Sequence, residues 1–430
     1  MLLQFSCSNH KSIKDTITFS MIASKDDSNL DGLKNFHNFN VIRIASIYGA
    51  NGSGKSNFVD AIGFAQNLII NSLRNQPGNP ILQFSHKLTT PTTPSKYEFQ
   101  FVRENIRYAY GFAIKDFFVD EEYLYYFPNN RKTKIFERKG MDIIEGSKYK
   151  KSFYLSKETL KPNRLFLTCA ANYSKIHEIE QAFMFFSLDL ILYRTVVDEP
   201  RIDNWYEYSV ELIEKNPEIK SAFLEMLKIL GTGVIDVSAR TESINLDELK
   251  KKIPEHITSF LPQILDNTVF KNFQVKMIYN DFETDLMTEE STGIKQLFKV
   301  ICPIIDILIN GRVLVCDEIE AGLHESIVHQ IVKLFYFLMP DKFAQLIFTT
   351  HDTSLLDLEL FRRDQIWFTQ LTSERATELY SLVEIKDVRK HENIAKGYIA
   401  GKYGAIPMLN KAFVENINPL RTKASWQKEI

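Results

Sequence analysis

The sequence predicts an α/β fold, and three strand-like stretches with chemistry at their ends predict it. The apolar run Val41–Tyr48 leads into Gly49-Ala50-Asn51-Gly52-Ser53-Gly54-Lys55-Ser56 and then into a helix-like segment from Asn57. Val313-Leu314-Val315-Cys316-Asp317-Glu318 is an apolar run closed by two carboxylates, and Phe343–Phe348 runs into Thr349-Thr350-His351-Asp352. Strands interleaved with helical patterns are the signature of this class.

The order strand, glycine loop, helix is the context a phosphate-binding loop requires. Gly49 and Gly54 let the backbone fold tightly, so that amide groups of the loop, Asn51, Gly52 and Ser53 included, converge on phosphate oxygens. Lys55 can reach the β- and γ-phosphates as a point charge, the Ser56 hydroxyl can ligate Mg²⁺, and Asn57 opens the helix. A nucleoside triphosphate is the expected ligand. The loop reads phosphates and not the base, so ATP and GTP stay undistinguished by this motif.

Composition bounds the remaining choices. The chain has 430 residues, 44% hydrophobic and 25% charged, which is ordinary for a globular protein and long enough for two or three domains or one large domain with an insertion. Its formal net charge of −2 supplies no overall basic field for nucleic acid, although 52 Lys and Arg leave room for a local basic groove. Cys7, Cys169, Cys302 and Cys316 contain no C-x-x-C pair, so neither zinc nor a disulfide framework is expected. The N-terminus lacks a basic region followed by a long apolar core, and the longest apolar run, Val300–Ile309, is interrupted by Pro303 and Asp306. A cytoplasmic protein without a membrane segment is expected.

Along the chain, Leu2–Phe5 and Thr16–Ile22 alternate as two short strands, and Lys25–Asn40 reads as a polar loop. Phe58, Ile62, Phe64, Leu68 and Ile69 mark a helix that ends before Pro77-Gly78. Tyr97–Val102, Tyr108–Ile114, Glu121–Phe127 and Lys134–Arg138 predict an antiparallel meander. Its aromatics suit packing on a sheet face, and base stacking is the alternative. From Ala170 to about Phe270 helical patterns dominate without a heptad repeat, and the tail after Pro407 is polar. The organisation expected is residues 1–169 and 271–407 as two parts of one head, 170–270 as a helical insertion and 408–430 as a tail.

Each strand end then has a role. Asp317 can share a metal with Ser56, and Glu318, one step further, can orient and deprotonate a water. His351 is placed to contact the γ-phosphate. Glu290-Ser291-Thr292-Gly293-Ile294-Lys295 precedes an apolar helix, and a serine and a bare glycine at a free helix N-terminus suit a phosphate.

Together these motifs resemble the ATP-binding-cassette (ABC) class of ATPases, and within it the SMC/RecF-like branch. Gly54-Lys55-Ser56-Asn57 resembles that branch's P-loop ending, Ser291-x-Gly293-x-Lys295 its signature, and Asn9-His10-Lys11-Ser12 its N-terminal element, with His10 in place of the usual aromatic. The layout, with Ile366-Trp367-Phe368, Glu378–Leu382 and Gly401–Pro407, is similar to small arm-less ATPases of bacterial phage-defence and abortive-infection operons. Thr292 and Ile294 depart from the transporter signature, and Gln83 is a candidate for the family's Q-loop glutamine, a surface glutamine being the alternative.

The resemblance implies an ABC-type P-loop ATPase head with an antiparallel β subdomain and a helical insertion. It implies a homodimer or higher homo-oligomer with composite ATP sites, in which Ser291, Gly293 and Lys295 act on the opposite protomer, with ATP and Mg²⁺ as cofactors. Seventy-nine residues follow His351 (430 less 351), too few for a fused nuclease domain of the overcoming-lysogenisation type. The leading expectation is therefore an ATPase that regulates a separate effector protein, a nuclease or toxin, in antiviral defence. A RecF-like ATPase that clamps DNA and a nucleotide-gated scaffold with negligible turnover are the alternatives.

Overall fold

The computed structural model describes residues 1–26, 32–90, 92–194, 204–243, 271–337, 342–389 and 392–406. The expected tail over 408–430 and the part of the expected helical insertion at 244–270 lie outside them.

Strands β1 (Leu2–Ser8) and β2 (Ile17–Ser20) pair antiparallel, as their alternation predicts. β3 (Leu33–Phe36) and β4 (Phe39–Ile42) form a hairpin where a loop was expected. The reason is a pair of phenylalanines in a polar stretch: Phe36 is buried and its ring lies 5.6 Å from that of Phe39, while His37 takes the positive φ of 53° that the tight turn needs. β5 (Ile44–Gly49) is buried at every residue and feeds the P-loop, which α1 (Lys55–Asn71) follows.

The meander comprises β6 (Ser95–Arg103), β7 (Ile106–Lys115), β8 (Phe118–Tyr126), β9 (Thr133–Lys139) and β10 (Asp142–Glu145). With β1 and β2 it makes a seven-stranded sheet in the order β10-β9-β8-β7-β6-β1-β2. Tyr97, Phe99, Phe101, Tyr108 and Tyr110 are fully buried, and Phe101 stacks on Phe185 at 4.1 Å. These rings build the core and are not a platform for bases. Phe5 and Phe19 carry the same core onto Phe58 of α1.

Three short helices, α2 (Tyr154–Glu158), α3 (Phe166–Tyr173) and α4 (His177–Met184), lead to β11 (Leu190–Arg194). α5 (Asn204–Lys215), α6 (Pro217–Ile229), β12 (Asp236–Ser243), β13 (Lys271–Ile278) and β14 (Glu283–Asp285) precede α7 (Thr292–Asn310). The stretch from 170 therefore holds helices and also two strands. Leu190-Ile191-Leu192 continues the apolar spacing of the helix before it, and so short a run does not declare its period in sequence. α5, α6, the three-stranded sheet β12-β13-β14 and the outer face of α7 enclose a separate core around Tyr206, Phe223 and Phe298.

β15 (Val313–Asp317), α8 (Glu325–Phe337), β16 (Gln345–Thr349), β17 (Ile366–Leu371), β18 (Thr377–Ser381) and α9 (Ile394–Ile399) complete the chain. The second sheet runs β11-β15-β16-β5-β17-β18, parallel except for β18. Both faces are covered, as parallel strands require. Ala45 and Ile47 of β5 face the core shared with α1 and the meander, whereas Ile44 and Tyr48 face the core shared with α7 and α8. The class is thus mixed α/β, one parallel and one antiparallel sheet. Among the described residues no helix is long and apolar enough to cross a membrane.

Candidate nucleotide site

The P-loop springs from the C-terminal end of β5, between β16 and β17. Two of its glycines are there because nothing larger fits. A Cβ on Gly49 would stand 2.3 Å from Thr369 Oγ1, and one on Gly54, whose φ is +107°, would stand 2.0 Å from Thr377 Oγ1. Gly52 has a φ of +76° and open space where its Cβ would be. The loop is therefore tight behind and bare in front.

A chain of hydroxyls holds the tight side. Ser53 Oγ and Thr369 Oγ1 are hydrogen-bonded at 2.7 Å, and Thr377 Oγ1 donates to the Ser53 carbonyl at 3.0 Å. Ser12 Oγ meets Thr377 Oγ1 at 2.7 Å, and Asn57 Nδ2 donates to Ser12 Oγ at 2.6 Å. The Asn9–Ser12 element, read only as a resemblance in sequence, is thus part of the loop's support.

Lys55 is buried, and its ammonium donates to the Gly49 carbonyl at 2.8 Å and the Ala50 carbonyl at 3.3 Å. Burial lowers its pKa to about 8, against the upward pull of Glu318, Asp317 and Glu320. Ser56 and Asn51 are exposed, and the first turn of α1 carries no acid to cancel its dipole.

The carboxylates are arranged by β16. Asp317 Oδ1 accepts from Thr349 Oγ1 at 2.6 Å, and Thr349 Oγ1 in turn accepts from the Glu318 N–H at 2.8 Å. Glu318 takes a φ of 53°, a left-handed conformation costly for a side chain of this kind. The backbone N–H of His351 donates to Glu320 Oε1 at 2.6 Å. Partial desolvation and the Lys55 charge hold the His351 imidazole below its ordinary value, against Glu320, Glu318 and Asp317. Lys55 and His351 feel the same three acids, which places the P-loop and the ends of β15 and β16 around one patch.

The signature residues lie at the start of α7. Ser291 caps α7, its Oγ accepting from the Ile294 N–H at 3.3 Å, and Ser291, Thr292 and Gly293 are exposed. Lys295 is half-buried, and its N–H donates to the Ser291 carbonyl at 3.1 Å. A Cβ on Gly293 would meet only Ser291 Oγ, at 3.9 Å.

Gln83 lies in the irregular segment between α1 and β6, beside Phe84, whose carbonyl accepts the Lys11 N–H at 2.6 Å. That bond ties the segment to the N-terminal element. The residue that the sheet sets opposite Asp317 is Arg194, its partner across β11 and β15. Arg194 Nη1 pairs with Asp60 Oδ1 at 2.9 Å, and Asp60 Oδ2 takes His10 Nε2 at 2.9 Å and Lys11 Nζ at 2.8 Å. Burial pushes the Asp60 carboxyl up, but these partners outweigh it and hold it well below the usual carboxylate range. Asp60 lies one helical turn beyond Ser56, on the same face of α1. That spacing was visible in sequence, whereas Arg194, Thr369 and Thr377 carried no local signal. Glu320, two residues past Glu318, could have been read as a third acid of the motif.

The residues fit a triphosphate: a bare loop over a helix N-terminus, a lysine and an exposed serine at its first turn, and carboxylates opposite.

Among solved structures the chain is similar to an Smc head bound to the C-winged helix domain of ScpA, at 14% identity and TM-score 0.46, covering 88% of this chain and 97% of that one. It is similar to the SMC head domain from Thermotoga maritima, at 12% identity and TM-score 0.40, covering 88% and 98%. A third is an Smc head domain with an extended coiled coil bound to the C-terminal domain of ScpA derived from Pyrococcus furiosus, at 13% identity and TM-score 0.41, covering 88% and 96%. No functionally curated protein matches the chain. A family model does match, over residues 44–150 and 207–357, which take in the P-loop, the signature-like cap, both carboxylates and His351. The chain belongs to the P-loop ATPase family described as AAA domain, putative AbiEii toxin, Type IV TA system.

Proposed function

We propose that this chain is a Mg²⁺-dependent ATPase whose nucleotide-driven dimerisation regulates or sequesters a separate effector protein, a nuclease or toxin, in defence against phage. The observation that carries the enzymatic half is the gathering of Lys55, Asp317, Glu318 and His351 at three adjacent strand ends. A pure scaffold has no need of a glutamate held in a strained backbone beside a buried lysine.

In this reading Gly49 to Gly54 bind phosphate through the backbone, and Lys55 leaves its own loop carbonyls for the β- and γ-phosphates. Ser56 and Asp317 would hold Mg²⁺, which supplies charge neutralisation on the triphosphate. Thr349 fixes Asp317 by its hydrogen bond and leaves the Glu318 carboxylate free to accept a proton from water. The His351 ring N–H can donate to a phosphate oxygen. Ser291 and Gly293 face solvent at a helix N-terminus with the half-buried Lys295 one turn on, and in a dimer the three would complete the partner's site. The head would comprise 1–169 and 271–407, with 170–270 as the insertion between.

The family's description, with its toxin and toxin–antitoxin terms, supports the defence context. Phosphate release tests the chemistry. Glu318→Gln is expected to keep ATP binding, lose about 10²–10⁴-fold in kcat and accumulate as an ATP-bound dimer, whereas Lys55→Ala should lose binding. Normal turnover in Glu318→Gln rejects the assignment of the base. The trapped Glu318→Gln dimer is also the bait for the effector: a partner captured from the native operon only with ATP supports regulation, and one captured equally without nucleotide refutes it.

A further inference from the structure

Each half of the proposed composite site is bordered by exposed apolar side chains, and the two borders carry opposite charge. Beside the P-loop, Leu82, Phe84 and Leu88 of the irregular segment between α1 and β6 are 75, 68 and 59% exposed. A single exposed leucine is ordinary, but three large apolar groups within residues 82–88 form a patch. Hydrogen bonds fix the segment close to the loop. The Lys11 N–H donates to the Phe84 carbonyl at 2.6 Å, and the His86 N–H donates to Asn9 Oδ1 at 3.0 Å. In the same element Ser12 Oγ accepts from Asn57 Nδ2 of α1 at 2.6 Å, and Lys11 Nζ pairs with Asp60 Oδ2 at 2.8 Å. From Ala61 to Tyr97 the chain has no acidic residue, whereas it has Arg74, Lys87 and Lys96.

The second patch borders the α7 cap. Phe282, between β13 and β14, is 60% exposed and stacks on Tyr279 at 4.6 Å, and Met287 is 48% exposed. Glu290, the residue before Ser291, holds this hairpin: its Oε1 accepts from the Tyr279 hydroxyl at 2.8 Å and from the Thr284 hydroxyl. The Asp285 N–H donates to Glu289 Oε2 at 2.6 Å. Between Lys276 and Lys295 there is no Lys or Arg, and there are five acids, Asp281, Glu283, Asp285, Glu289 and Glu290. Lys276 offsets one of them, Glu283.

An apolar patch with a basic rim and one with an acidic rim complement each other, and this chain carries both. The dimer proposed above sets Ser291 and Gly293 of one protomer over the P-loop of the other, so what borders the cap meets what borders the loop. In a twofold dimer the contact occurs twice.

We propose that residues 82–88 of one protomer dock on the β13–β14 tip of a second copy of this chain, apolar side chains at the centre and opposite charges at the rim. The choice of occupant rests on the dimeric reading above. Closure of the composite site then depends on a surface that the nucleotide does not touch.

The test uses the full chain carrying Glu318→Gln, with ATP. Sedimentation comes first: a chain that stays monomeric refutes the dimer, and this contact with it. Where the dimer forms, hydrogen exchange decides the contact. Residues 82–88 and 279–289 should both slow by about tenfold relative to the nucleotide-free chain. Either segment exchanging unslowed within the dimer overturns the proposal and leaves the dimer standing.

Variants in the same background separate direct contact from stiffening at a distance. Phe282→Ser changes an exposed side chain, so the melting midpoint should hold while the dimer weakens by about tenfold. Lys87→Glu and Asp281→Lys should each weaken it by about fivefold at low salt, and the two together should restore it. A Phe282→Ser dimer as tight as its parent, or a double charge reversal weaker than either single one, rejects the contact.

Discussion

Two helix N-termini in this molecule carry a serine and a glycine, and they differ in what stands behind them. At the start of α1 the loop is braced: Gly54 is pressed against Thr377, and Ser53 is bonded to Thr369 and Thr377. At the start of α7 nothing presses: Gly293 has open space, and Ser291 bonds only its own helix cap. The first glycine is required by its own chain. The second is not, and the proposed dimer gives it a role outside its own protomer. This contrast is the physical ground for reading the P-loop as a finished half-site and the α7 cap as the piece that completes another.

The harshest way to break the braced side is Gly54→Ala. The position combines a φ of +107° with a methyl 2.0 Å from Thr377 Oγ1. Strained backbone of this kind costs about 1–3 kcal/mol, and overpacking adds about as much. Urea unfolding should show a loss of about 3 kcal/mol or more together with loss of ATP binding. Native stability in this variant would mean that the loop is not held as described.

Gly293→Ala tests the other side, and its signature is the reverse. The added methyl meets only Ser291 Oγ, at 3.9 Å, and Gly293 has no positive φ, so the fold has no objection. Helix propensity favours alanine by up to about 1 kcal/mol, so the melting midpoint should hold or rise. In the proposed dimer turnover should nevertheless fall about tenfold, because the methyl would lie where the partner's phosphate approaches the helix N-terminus. Unchanged turnover with unchanged stability would remove the cap from the site.

The contrast also explains what sequence could show. The P-loop, the apolar strand ending in Asp317-Glu318 and the strand ending at His351 are local patterns, and the structure sets all three side by side. The brace is not local. Ser53 finds Thr369 and Thr377 at separations of 316 and 324 residues, and Asp60 finds Arg194 at 134, so only the folded sheet order reveals them. The strand beside Asp317 is β11, hidden in a helical-looking stretch and ending in an arginine. The β3–β4 hairpin was missed because two phenylalanines decide the structure of a stretch whose average is polar.

Acidity probes the braced side more gently. Lys55 is depressed to about 8 by burial in the nucleotide-free chain, and only its ammonium form attracts phosphate. Below that value the group is charged and affinity is flat. Above it, binding must take up a proton, so ATP affinity should fall by up to about tenfold per pH unit. Calorimetric titrations from pH 6.5 to 9.5 should show the bend near 8 and proton uptake above it. Affinity that is flat to pH 9.5 would mean that the lysine is not desolvated before the nucleotide arrives.

The smallest effect expected separates bracing from mere packing. Thr377→Val deletes the hydroxyl that joins Ser12 Oγ to the Ser53 carbonyl and leaves a side chain of nearly the same shape against Gly54. One hydrogen-bonded hydroxyl contributes about 1 kcal/mol, so stability should drop by that amount and no more. If the brace preorganises the loop, ATP affinity should fall with it by about fivefold, because the loop must then be ordered at the expense of binding. If stability drops while affinity is unchanged, the hydroxyl chain only fastens β18 to the core, and the P-loop takes its shape from Gly49, Gly54 and α1 alone. At the α7 cap the equivalent change, Ser291→Ala, removes a bond to the Ile294 N–H and should cost about 1 kcal/mol of the same kind. In the proposed dimer the serine hydroxyl would also be the group offered to the partner's phosphate, so turnover should fall further than stability explains. That excess, present at Ser291 and absent at Thr377, is the measurable form of the difference between a half-site that is complete and one that is waiting.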